Sequence, residues 1–399
     1  MSDLSTKSLG ELLKEKIMTS PVPITPAPIE DLVKSAIKDA LAKRGITEGK
    51  EFVPDDATMA SLEAMEKSLV PPPTLPVVPV HTLKDGQVWA SDLFKRVMSI
   101  SKKDDFPVSI FKPEDFDEKI RMFIPKVDPT YVLDKKNSIN ILKAWEQNDK
   151  TLLYGPTGAG KSSLPQMLCA YVCRPFFRIN CTEDMDSSMI FGQLTASDGS
   201  TPWEDGPVTE AVKYGAVFAW DEWDVTPPGI AMGLQWLLED DGKLFLKEKP
   251  GAAKDKFIVP DSKFRLMALG NTQGQGDDTG QHTGTNVQNT ATIDRFGTTL
   301  RIGYMKEDVE VKMLCGKFTD LAKETVLKLV RFANLVRQGY TTNQLNLTMS
   351  PRSTIGICKK LSYGHTMQEA IQLTYTNKLV ETQQKVAMEL YRKVFGSAE

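Results

Sequence analysis

The segment Gly155-Pro156-Thr157-Gly158-Ala159-Gly160-Lys161-Ser162 is where the sequence first specifies chemistry. It fits the spacing G-x-x-x-x-G-K-[ST], with Ser163 directly after it. Small residues let backbone N–H groups curl around phosphate oxygens, and the N-terminus of the following helix adds its positive dipole end. Lys161 is suited to reach the β- and γ-phosphates and Ser162 to ligate Mg²⁺. Ser163 completes the set of residues expected at the nucleotide. The segment follows the apolar run Thr151–Tyr154 and precedes a helical pattern, the context this motif requires. ATP and Mg²⁺ are the expected ligands.

Five further residues carry side chains suited to this chemistry. Ala216–Trp220 is an apolar run ending in Asp221-Glu222. At the C-terminal edge of a parallel sheet, these carboxylates would lie beside the phosphate loop. Asp221 is expected to hold Mg²⁺ and Glu222 to polarise the attacking water. Phe264–Leu269 is a second apolar run, followed by Gly270-Asn271, where an amide can position that water. In Ile293-Asp294-Arg295-Phe296, Arg295 taken alone reads as a surface charge, but at a subunit edge it could insert into a neighbour's nucleotide site. Ser350-Pro351-Arg352 reads as a helix start, with Ser350 at the N-cap and Pro351 in the first turn. Arg352 would then project toward the γ-phosphate. Cys169 and Cys173 lie at i, i+4 and read as helix packing rather than metal ligands. Pro165 is expected to bend the helix after the loop.

Strands and helices must alternate to position these groups. Thr151–Tyr154, Phe176–Asn180, Ala216–Trp220, Phe264–Leu269 and Thr298–Ile302 are short β-rich runs separated by helical stretches. Near-continuous apolar runs suit parallel strands covered on both faces, so a doubly wound α/β core is expected. After residue 304 the pattern is helical. Leu321 to Val336 and Lys378 to Val394 are helices by periodicity, and Thr366-Met367-Gln368-Glu369 is a capping box. Ten of the 24 prolines fall in the first 80 residues. They flank an amphipathic helix from Ile29 to Leu41 and a shorter one at Leu62–Leu69, which reads as helical pieces on extended tethers. Three units result: a Pro-rich helical region (1–110), either a poorly ordered tail or a docking module for a partner, an α/β core (111–303) and a helical lid (304–399).

Composition removes other classes. With 49 Lys+Arg against 52 Asp+Glu, the net charge is −3, so no global basic footprint points to nucleic acid. No apolar run is long enough to span a bilayer, and Met1-Ser2-Asp3-Leu4 lacks the pattern of a signal peptide. Five cysteines without regular spacing do not form a disulfide framework, and three histidines leave little for a His-based metal site. An intracellular multi-domain protein is expected.

The order of these motifs resembles that of AAA+ ATPases, and within them the MoxR group, over about residues 120–365. Gly155–Ser162 matches the phosphate loop, and Gly206-Pro207-Val208-Thr209-Glu210-Ala211 precedes the Asp221-Glu222 pair. Asn271 corresponds to sensor 1, Asp294-Arg295-Phe296 to the arginine-finger segment and Ser350-Pro351-Arg352 to sensor 2. Two insertions fit as well. One spans Thr182 to Pro207; the other is a hairpin from Leu244 to Val259, with Lys249-Pro250-Gly251 near its tip. The polar stretch from Gly270 to Phe296 is similar to that of the ATPase subunit of aerobic cobaltochelatase, the CobS type. Gly276-Asp277, Gly280, Gly284-Thr285, Asn289 and Asp294-Arg295 carry this likeness, whereas His282 is displaced by one position.

The resemblance implies a P-loop core with a five-stranded parallel sheet and an ATP-hydrolysing homo-oligomeric ring, a hexamer. It also implies a von Willebrand A-domain adaptor or a chelatase subunit as partner. The expected location is the cytoplasm of a bacterial or virus-infected bacterial cell. The lysines at 243, 247, 249, 254 and 256 leave a nucleic-acid-stimulated motor as the alternative.

Overall fold

The computed structural model describes residues 83–196, 199–276 and 285–396. The two N-terminal helices expected from periodicity, and His282 with Asp277, Gly280 and Gly284, lie outside the described residues.

Five parallel strands form the central sheet: β1 (Thr151–Tyr154), β2 (Phe176–Asn180), β3 (Val217–Asp221), β4 (Arg265–Gly270) and β5 (Thr298–Arg301), in the order β5-β1-β4-β3-β2. Each lies within a residue of the run that marks it in the sequence. The register sets Leu153 beside Leu269, and Leu269 beside Asp221, so the C-terminal ends of the three central strands are level. That edge is where the phosphate loop, the acidic pair and Asn271 emerge.

Alternate side chains build two cores, as the period of a strand demands. Leu152, Phe177, Phe218, Trp220, Leu266 and Ala268 join the core on one face. Leu153, Phe176, Val217, Ala219, Met267 and Leu269 join the core on the other. Helices α1 (Lys135–Glu146) and α2 (Ser163–Val172) supply Ile141, Leu142, Trp145, Leu164 and Leu168 to the second core. Helix α3 (Pro207–Tyr214) supplies Val208, Ala211 and Val212 to the first, and α4 (Pro228–Gln235) supplies Ile230, Ala231 and Leu234.

A small antiparallel pair, Gln87–Trp89 with Pro107–Ser109, was not expected from the sequence. Ala90, Phe94, Phe106 and Val108 around it are buried in the second core. The boundary expected at residue 110 therefore falls after a hairpin that packs with the sheet. Three-residue strands are too short to show a period, which explains why the pattern hides them.

Both insertions are hairpins. Gly192–Leu194 pairs with Trp203–Asp205, after a short helix at Ser187–Phe191. Leu244–Phe245 pairs with Phe257–Ile258. Pro165 falls in the first turn of α2. Leu164 bonds back to Gly160 and Gln166 to Ser162, so the proline omits the bond to the Lys161 carbonyl while the helix continues to Val172.

Past β5 the chain is helical: α6 (Glu307–Lys317), α7 (Lys323–Thr341), α8 (Pro351–Ser362), α9 (Met367–Thr374) and α10 (Glu381–Phe395) enclose a third core. Thr366 and Glu369 form the capping box of α9, each side chain bonding the other's backbone N–H. Ser350 is the N-cap residue of α8 and Pro351 its first residue, but the serine side chain makes no capping bond. A bidentate ion pair between Arg337 and Glu310 (2.7 and 3.0 Å) is buried in this layer. Arg337 also bonds the Met349 carbonyl, and Thr354 bonds Glu310.

Candidate active site

Residues 155–162 connect β1 to α2, with backbone that side chains rarely adopt. Gly155 has φ +148°, and a Cβ there would strike the Ile302 carbonyl beyond β5. Gly158 has φ +73°, and a Cβ there would lie 2.5 Å from that of Ser350. The second glycine thus lets the loop meet the start of α8.

Thr157, Gly158, Gly160, Lys161, Ser162, Arg178, Asp221, Glu222, Asn271 and Arg352 line one pocket. Lys161 is buried and donates to the carbonyls of Gly155 (2.8 Å) and Pro156 (3.2 Å), and to Asn271 Oδ1 (2.8 Å). Asn271 Nδ2 donates to Glu222 Oε2 at 2.9 Å. One amide therefore joins the loop lysine to the glutamate after β3. Thr157 Oγ1 donates to the same amide oxygen at 3.4 Å.

Glu222 turns sharply out of the strand, at φ +54° and ψ +40°. A non-glycine residue holds this left-handed conformation at some cost, and such residues cluster at functional sites. Burial raises the Glu222 pKa, and the charges of Asp221 and Asp224 raise it further. Burial lowers that of Lys161, while Glu222 and Asp221 act the other way. Asp221 is buried; its Oδ1 accepts from the Glu222 backbone N–H (3.0 Å) and its Oδ2 from Arg178 Nε (2.6 Å).

Two site residues escaped the sequence reading. Arg178, from the interior of β2, reaches Asp221 across the edge of the sheet. Asp224 is fully buried three residues past Asp221. Its Oδ2 accepts from the N–H of Asn271 (2.9 Å), the N–H of Thr272 (2.8 Å) and Thr272 Oγ1 (3.0 Å). Its carbonyl accepts from the Asn286 N–H at 2.7 Å. Asp224 thus holds Asn271, Thr272 and Asn286 of the polar stretch after β4. Its only signal was an extra carboxylate close behind Asp221-Glu222.

Helix α8 brings Arg352 into the pocket. Tyr304 links the helical layer to the loop as well, donating to the Thr157 carbonyl at 3.1 Å with its ring 4.4 Å from the Arg337 guanidinium carbon. Arg295 is not among the residues lining this pocket. It caps the short helix α5 (Thr290–Asp294), where its Nε donates to Glu239 at 2.5 Å. Pro156, Ala159 and Ser163 belong to the loop and the first turn of α2 without lining the pocket, and Ala159 is packed in the second core. Cys169 is buried in α2, and Cys173 ends that helix in a left-handed conformation. Among the described residues, no group of three or more His, Cys, Asp or Glu could hold a metal ion, and no helix is long and apolar enough to cross a membrane.

Residues 150–296 match the AAA domain of the dynein-related subfamily. The aerobic cobaltochelatase subunit CobS of Sinorhizobium sp is 29% identical over 327 residues, which cover 80% of this chain and 92% of CobS. Protein NorQ of Paracoccus denitrificans is 26% identical over 64% of this chain and 89% of its own length. The denitrification regulatory protein NirQ of Pseudomonas aeruginosa is 26% identical over 61% of this chain and 88% of its own.

Proposed function

Because the chain is an AAA+ ATPase of the MoxR group, similar to the CobS type, we propose that it assembles into a homo-oligomeric ring, a hexamer, whose ATP hydrolysis remodels a partner protein. The observation that supports the hydrolytic part of this reading is the bonded series Lys161–Asn271–Glu222 in the pocket that Ser162, Asp221 and Arg352 also line, whereas the ring and the partner rest on the likeness to the relatives.

The phosphates of ATP would lie against the backbone N–H groups of residues 155–163, with Lys161 at the β- and γ-phosphates. The Ser162 hydroxyl and the Asp221 carboxylate are hard oxygen donors in one pocket, a set that fits Mg²⁺. When bound there, Mg²⁺ would neutralise charge on the phosphate oxygens. Glu222 would accept a proton from the attacking water, and Asn271 would hold both that carboxylate and the water in line. Lys161 would exchange its loop carbonyls for phosphate oxygens. Arg352 would report the γ-phosphate to the helical lid.

Arg295 would complete the neighbouring subunit's site. Its hold on Glu239 is a half-exposed ion pair, which is weak enough to exchange for a phosphate. The proposed units are an N-terminal docking region that ends before the 87–109 hairpin, a core that includes this hairpin and runs to residue 303, and the 304–399 lid. The CobS relative is named as a subunit of an aerobic cobaltochelatase. By analogy the partner would be a chelatase subunit or a von Willebrand A-domain adaptor, with this chain as the motor, acting in the cytoplasm.

Mixing tests the shared site. Lys161→Ala and Arg295→Ala rings should each be inactive, and their mixture should recover part of the ATPase activity. An inactive mixture, with mixed rings shown to form, would contradict the trans role of Arg295.

One observation favours a nucleic-acid-stimulated motor as a second reading. The Leu244–Ile258 hairpin exposes the stacked rings of Phe245 and Phe257 (centroids 4.8 Å apart), with Trp236 edge-on and several lysines nearby. Aromatic faces among lysines suit stacked bases and phosphates.

A further inference from the structure

We propose that Arg178 sets the Mg²⁺ requirement of nucleotide binding, as a built-in counter-ion that competes with the cation for Asp221. The inference rests on the reading that Asp221 holds Mg²⁺.

The two partners are unequal. Asp221 has a side chain only 6% exposed and is tethered by strand pairing and by the Glu222 N–H. Arg178 has a side chain 39% exposed, and its single bond among the described residues runs through Nε to Asp221 Oδ2. The other guanidinium donors are not used there, so the bidentate geometry that would lock such a pair is missing. In this arrangement the cation at Asp221 is the guanidinium. Mg²⁺ can take the Oδ2 lone pairs fully only when Arg178 yields, because two cations on one carboxylate oxygen repel.

Arg178 has somewhere to go. It also lines a cleft of about 730 Å³ beside the edge strand β2, between α3 and the Gly192–Asp205 hairpin. Glu204, Asp205 and Glu210 line the same cleft. Asp205 is engaged by Lys213, whereas Glu210 makes no ion pair among the described residues. Burial and the charges of Asp205 and Glu204 hold the pKa of Glu210 above the ordinary glutamate value, while Lys119, which also lines the cleft, and Lys213 act the other way. Arg178 is bonded to the proposed Mg²⁺ ligand, and on leaving it would enter a cleft that Glu204 and Glu210 line.

The test is the Mg²⁺ dependence of binding of a fluorescent ADP analogue to the full chain, measured without turnover. Arg178→Gln should lower the half-saturating Mg²⁺ concentration about two- to fivefold, the range expected for a partly exposed ion pair. Arg178→Lys, which keeps a cation, should stay near wild type. Glu210→Gln, which weakens the alternative position, should raise the half-saturating concentration. An unchanged or raised value in Arg178→Gln would overturn the proposal. Asp221→Asn separates the two layers of the argument. If wild-type binding depends on Mg²⁺ and Asp221→Asn abolishes that dependence, a failure to shift in Arg178→Gln sinks the counter-ion alone. If Asp221→Asn leaves the dependence intact, the reading of Asp221 fails as well.

Discussion

Replacing Asp224 with alanine should cost both stability and turnover, while leaving nucleotide affinity nearly unchanged. Its Oδ2 receives two backbone N–H groups and one hydroxyl at 2.8–3.0 Å, in a fully buried position. Alanine would orphan the N–H groups of Asn271 and Thr272. Each unsatisfied buried donor costs about 1–3 kcal/mol. The hydroxyl can turn elsewhere, and removing a buried charge whose Oδ1 has no partner gives some of that back. A net loss of about 2–4 kcal/mol is therefore expected. Asparagine keeps an acceptor at the position of Oδ2 and should lose about 1–2 kcal/mol. The functional effect follows from Asn271, whose backbone Asp224 holds and whose amide spans Lys161 and Glu222. A displacement of about 1 Å there costs on the order of 100-fold in kcat. Urea unfolding gives the first quantity, and ATP turnover with an equilibrium nucleotide titration gives the second. A folded Asp224→Ala protein with wild-type kcat would refute the reasoning.

Other consequences are open to measurement. Burial and the neighbouring Asp221 and Asp224 charges make Glu222 hold its proton to higher pH than an ordinary glutamate. A base must be ionised, so the acid limb of the kcat profile should lie above the usual glutamate range of about 4.3; a limb at or below that value would contradict the assignment. Glu310→Ala leaves the Arg337 guanidinium buried without its ion-pair partner. It should destabilise the helical layer by about 3–5 kcal/mol in chemical denaturation, and a loss under 1 kcal/mol would count against that ion pair. If the 244–258 hairpin meets nucleic acid, single-stranded DNA should stimulate hydrolysis with a steep salt dependence that Phe245→Ala and Phe257→Ala remove. No stimulation at low salt would dismiss that reading.

The parts legible in the sequence are those whose signal is local. The phosphate loop carries its spacing within eight residues, and the five sheet strands are apolar runs whose ends can be placed to within one residue. Arg178 and Asp224 were not legible because their meaning depends on partners 43 and 47 residues away, brought together by strand register and loop closure. Nothing local distinguishes Arg178 in Phe176–Asn180 from an ordinary exposed strand residue. Ser350 misled in a different way. It stands at the N-cap as its type suggests, yet makes no capping bond and is pressed against Gly158 instead. Pro165 lies in the first turn of α2, where it omits one bond, as its type predicts, while the helix runs on to Val172.

The most direct measurement is phosphate release from ATP by the purified full chain, wild type against Glu222→Gln, with nucleotide binding followed in parallel. Wild type should hydrolyse ATP in the presence of Mg²⁺. Glu222→Gln should bind ATP at least as well, because it removes one negative charge from the pocket, and should lose on the order of 100-fold or more in turnover. Hydrolysis by Glu222→Gln at the wild-type rate would contradict the central assignment of Glu222 as the base.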